Sequence, residues 1–200
     1  MDSMLDSIMG SLQTSGGIGQ ISESLGLDQN DVSKVMSGVL PALLGGLTRN
    51  TGSAEGASGL LAALDRDHDG SIMDDLAGLL VTAGTAKTGA GILSHVFGDQ
   101  QARVETALGK TTGVDAAAVG KIMAMVAPLV LGYLGRQRRQ ESLDATGIVN
   151  LLTQERQIAE QRSPQAVDML SRLIDSDNDG TIVDDIAQMG TSILGSLFKS

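Results

Sequence analysis

The sequence predicts an all-α protein made of two tandem, duplicated helical units, and three observations carry that expectation. Apolar residues recur at helical spacing through most of the chain, with no convincing two-residue alternation. Hydrophobic residues make up 42% but aromatics only 2%. A core must therefore rest on Leu, Ile, Val, Met and Ala, which suits closely packed helices better than aromatic-rich strands. The chain also repeats itself: Gly26 to Arg49 aligns without a gap on Gly113 to Arg136 at an offset of 87. Val32/Val119, Lys34/Lys121, Met36/Met123, Val39/Val126, Pro41/Pro128, Leu44/Leu131 and Leu47/Leu134 are identical pairs. Met4 to Gly10 matches Ile92 to Gly98 in the same way, at an offset of 88. Two units are thus expected, residues 1–90 and 91–200, rather than a long solenoid.

Each unit opens with a short amphipathic helix, carrying Met4, Leu5, Ile8, Met9 and Leu12 in the first copy. Asp28 and Asp115 are N-cap candidates for a longer helix. In the first copy that helix bears Val32, Val35, Met36, Val39, Leu40, Leu43, Leu44 and Leu47. Pro41 and Pro128 fall inside these long helices and should kink or break them, since proline lacks a donor and crowds the preceding turn. Asn50 to Gly56 reads as a linker, and a helix ending at Leu64 follows. Another helix is expected through Leu76, Leu79 and Leu80. The second copy carries about two dozen extra residues; the stretch from Asp144 to Arg162 reads as an inserted amphipathic helix. The 26 glycines imply short helices and frequent breaks.

Two runs stand out chemically. Asp65-Arg66-Asp67-His68-Asp69-Gly70-Ser71-Ile72-Met73-Asp74-Asp75-Leu76 occurs again, 110 residues later, as Asp175-Ser176-Asp177-Asn178-Asp179-Gly180-Thr181-Ile182-Val183-Asp184-Asp185-Ile186. Alternating carboxylates, a glycine that permits a sharp reversal, a small polar residue and an isoleucine match the start of an EF-hand calcium loop. By position, Asp65, Asp67, Asp69 and the carbonyl of Ser71 would ligate in loop 65–76. Asp175, Asp177, Asp179 and the carbonyl of Thr181 would do so in loop 175–186. Position 12 is Leu76 or Ile186, which offers no ligand, so the closing carboxylate must come from Asp74-Asp75 and Asp184-Asp185. Asp75 and Asp185 are favoured, being nearest the usual place. A short Asp arm instead of a bidentate Glu should weaken such a site to micromolar or weaker. All-oxygen ligation favours Ca2+ over zinc or copper, with Mg2+ the main competitor. His68, at position 4, should face solvent. Ile72 and Ile182 sit where paired loops form a short backbone bridge, so the two loops are expected side by side.

The bulk numbers exclude several functions. Net charge is −10, and the loops hold ten of the 24 acids, a poor balance for nucleic-acid binding. Arg136, Arg138 and Arg139 end an apolar helix, where cations complement the helix dipole. The absence of cysteine removes disulfides and thiolate metal sites. The N-terminus resembles no ordinary secretory signal. The apolar stretch from Ile122 to Gly135 falls short of the roughly 20 residues that span a bilayer. A cytoplasmic protein is the default, with leaderless export the open alternative.

The runs Gly91 to Gly98, Gln101 to Leu108, Thr112 to Asp115 and Ala127 to Gly135, with the closing stretch Leu173 to Asp185, resemble the bacterial YidB-like domain-of-unknown-function family. That resemblance implies a small helical bacterial domain and transfers no activity. Two histidines and no nucleophile or phosphate-loop signature argue against an enzyme. The expectation is a calcium-binding helical protein, structural or sensor, acting on a protein partner or by self-association. The alternative is a membrane-surface or assembly protein in which the acidic loops are structural only.

Overall fold

Ser3 starts the first helix by folding its hydroxyl back onto the Asp6 amide while Asp6 answers onto the Ser3 amide, a reciprocal capping box. In the computed structural model, which describes residues 3–66 and 83–162, all regular structure is helical. The order is α1 (Met4–Thr14), α2 (Gly17–Leu25), α3 (Gln29–Asn50), α4 (Ala54–Arg66), α5 (Ala83–Phe97), a 3-10 turn (Gly98–Gln100), α6 (Gln101–Thr112), α7 (Ala116–Glu141) and α8 (Ala145–Arg162). Among the described residues there is no strand. The expected helix through Leu76 to Leu80 lies outside them.

The two long helices, α3 and α7, begin alike. Gly26 and Gly113 close the preceding helices at φ 66° and 77°, a left-handed conformation that glycine adopts without a Cβ penalty. Two residues on, Asp28 and Asp115 occupy the N-cap positions. Asp115 accepts from the Ala117 and Ala118 amides at 3.0 and 3.4 Å. Asp28 holds the same position without a side-chain cap bond.

Neither proline breaks its helix. α3 runs through Pro41 and α7 through Pro128 without interruption, contrary to the expected break. Burial decides this. All eight large aliphatic residues expected on α3 are buried, at 4% exposure or less, each worth roughly 1.5–3 kcal/mol, against about 3 kcal/mol for one internal proline. Helix continuity also shortens the expected Asn50–Gly56 linker, because α3 reaches Asn50 and α4 starts at Ala54.

α3 packs against α2, α5, α6, α7 and α8, and α7 against α1, α3, α4, α5 and α6. One continuous apolar cluster therefore joins residues from Met4 to Ala159. The apolar pairs identical between the copies are buried on both sides, and Lys34 and Lys121 are exposed in both. α5 spans residues 83–97 and so crosses the 90/91 junction. α8 covers the stretch read as an inserted helix and lies on α3 and α4. α7 is long and apolar enough to cross a membrane by length and composition, yet 72% of its apolar window is buried inside the protein.

Candidate functional site

α4 ends at Arg66, and its last turn carries Asp65, the first residue of the first acidic run. Leu64 beside it is buried in the core, which turns Asp65 outward with its side chain 50% exposed. The Asp65 Oδ2 accepts a hydrogen bond from Arg138 Nη2 of α7 at 3.3 Å. Arg138 is 26% exposed, and its buried Nε has no hydrogen-bond partner among the described residues. The last turn of α7 holds Arg138 and Arg139, as the dipole argument expects. The reach of Arg138 to the other copy's loop was not visible in that argument.

The other expected ligands of the first loop, Asp67, Asp69, Ser71, Asp74 and Asp75, lie outside the described residues, as do His68 and Ile72. So does the whole second loop: Asp175, Asp177, Asp179, Thr181, Asp184 and Asp185, with Ile182. Among the described residues no group of three or more His, Asp or Glu side chains could hold a metal.

Two other polar arrangements emerge. Glu155 of α8 is buried, at 5% exposure, and its Oε2 accepts from the Met4 amide at 2.9 Å. That amide is one of the unpaired donors at the α1 N-terminus, where a carboxylate also meets the positive end of the helix dipole. Tyr133 lies nearby, its phenol accepting from Gln137 Nε2 at 3.3 Å. Burial, then the charge of Glu155, holds the Tyr133 phenol above the usual tyrosine range, against hydrogen bonds with Ser7 and Gln137 that pull it down. The sequence did carry a signal for Glu155: it shares the buried stripe of Ile148, Leu152 and Ala159, an acid in an apolar register.

A cavity of about 650 Å³ opens between α3, α4, α5 and α7, lined by aliphatic residues such as Leu47, Leu60, Ile92 and Leu131. Asn50 at its edge donates to the carbonyls of His95 and Val96 at 2.9 and 3.2 Å, which satisfies acceptors in the last turn of α5. This tie fixes the end of α3 against the end of α5, beside the start of α4.

A family model described as a bacterial protein of unknown function, DUF937, matches residues 6–137. The match includes the first acidic loop and stops before α8. No curated protein and no solved structure matches the chain.

Proposed function

We propose that this chain, which belongs to the DUF937 family of bacterial proteins, is a calcium-binding helical protein. In this reading the ions order the helices flanking two acidic loops, and the output is binding of a protein partner or self-association. The observation that carries it is the occurrence, twice, of Asp-x-Asp-x-Asp-Gly followed by a small polar residue and isoleucine, at 65–72 and 175–182. Two features support it. α4 delivers Asp65 on its final turn with the carboxylate half-exposed, as an incoming EF-hand helix would. The shared burial of the duplicated apolar pairs supports two units of one design, and hence two ions. Two divalent ions would bring the formal charge from −10 to −6. The role is one of binding rather than catalysis, with Ca2+ preferred and Mg2+ competing.

Calorimetric calcium titration of the protein and of an Asp65→Ala/Asp175→Ala double variant tests the reading. The unsubstituted protein should take two ions, and the variant should bind far more weakly. A response equal in the two overturns the proposal. Far-UV circular dichroism and hydrodynamic radius through the titration separate a sensor, which changes, from a preformed scaffold, which does not.

A further inference from the structure

The helices around the cavity between α3, α4, α5 and α7 meet closely everywhere except at the cavity itself. At Gly56 of α4 an added Cβ would land on the Asn50 carbonyl of α3, and at Gly89 of α5 on the Ala124 carbonyl of α7. At Gly46 of α3 it would collide with the Val96 side chain of α5. Glycine at these seams lets the helices approach without a side chain between them. Three residues along α4 and two along α5, Gly59 and Gly91 line the cavity, and there an added Cβ would meet nothing within 4 Å. Slack packing would loosen the seams as well; here the gap is confined to one place. The Asn50 amide, bonded to the His95 and Val96 carbonyls, holds one wall in position.

The volume, about 650 Å³, lies within the roughly 300–1,000 Å³ of sites that take small organic molecules. Leu47, Val96 and Leu131 form its buried part. No Phe, Tyr or Trp lines it among the described residues, so its walls offer aliphatic contact and no such ring for stacking. Leaving those walls to water forgoes burial that an alkyl chain would recover. Charge selects the other end of the ligand. The chain has 24 acidic residues against 14 basic ones, yet no Asp or Glu lines the cavity among the described residues, whereas Arg66 and His95 do. Both are exposed, which puts them at its mouth. A guanidinium at the mouth of an aliphatic space suits a carboxylate carried on an alkyl chain. We propose that this cavity binds a free medium-chain fatty acid, with the alkyl chain inside and the carboxylate at Arg66 and His95.

The test is calorimetric titration of the full chain with decanoate, in chelator so that calcium binding plays no part. Decanoate should bind saturably, and from octanoate to decanoate each methylene should tighten binding about fourfold, the gain from burying one such group. Gly59→Leu and Gly91→Leu place a side chain in the open space and should abolish that binding. Both should melt no lower than the parent, because leucine is the better helix former. Arg66→Gln should weaken decanoate roughly fivefold, the size of one exposed charge interaction, and leave 1-decanol unchanged. Three results overturn the inference: no saturable decanoate binding by the parent, undiminished binding by both folded leucine variants, or equal decanoate affinity in Arg66→Gln. None of them bears on the calcium reading.

Discussion

Glu155 shows how one residue ties α8 to α1. Its carboxylate serves an orphan amide of α1 from a position on α8, deep enough that water cannot take its place. Glu155→Ala should cost about 2–4 kcal/mol in urea denaturation, because a charged hydrogen bond is lost and a donor is left buried. Glu155→Gln keeps an acceptor oxygen and should cost less. Tyr133 gives an independent readout, since it is the only tyrosine. Its phenolate absorbance should titrate above the usual tyrosine range, and the midpoint should fall in Glu155→Gln, where the neighbouring negative charge is gone. The sign for stability follows. The folded phenol holds its proton after the unfolded one has lost it, so stability falls as pH rises above about 10, until the folded phenol ionises too. An unshifted phenol would remove Glu155 from its surroundings.

At the scale of helices, one proline and one glycine belong to a single contact. Pro128 leaves the Ala124 carbonyl without its intrahelical donor, and Gly89 of α5 lies against that carbonyl so closely that an added Cβ would land on its oxygen. Gly89→Ala should gain about 1 kcal/mol in helix propensity, yet the obstacle is backbone and cannot swing aside. A net loss of about 1–3 kcal/mol is therefore expected; a variant as stable as its parent by urea denaturation would refute this contact. Much of the helical plan was legible in the sequence. The stripes on α1 and α3, the Asp28 and Asp115 positions and the extra helix α8 all follow from periodicity and capping chemistry. α2 escaped because Gly16, Gly17 and Gly19 read as breakers, while two buried isoleucines, Ile18 and Ile21, anchor it to the core. α6 escaped because its stripe is thin, with Val104, Ala107 and Leu108 buried. Continuity through Pro41 and Pro128 is a tertiary outcome that local rules oppose. Of the candidate site, the loop motif was readable, but the Asp65–Arg138 pair was not, because no local pattern links residues 73 apart.

For the molecule as a whole, the two stretches expected as units do not each enclose a core of their own among the described residues. α3 is covered by α5, α6, α7 and α8 as well as by α2, so its apolar face depends on residues that come later. A fragment of residues 1–90, the expected first unit, should lack cooperative unfolding by circular dichroism, whereas the full chain should show one transition; a well-folded fragment would mean that unit is self-sufficient. Mutual coverage of this kind reaches back to biosynthesis. α3 leaves the ribosome about 90 residues ahead of the end of α7, and at roughly 5–20 residues per second it waits about 5–20 s for its partner. For that interval a long, greasy, aromatic-poor helix is the business of chaperones, so the nascent protein should be more sensitive to their loss than a finished one of the same size.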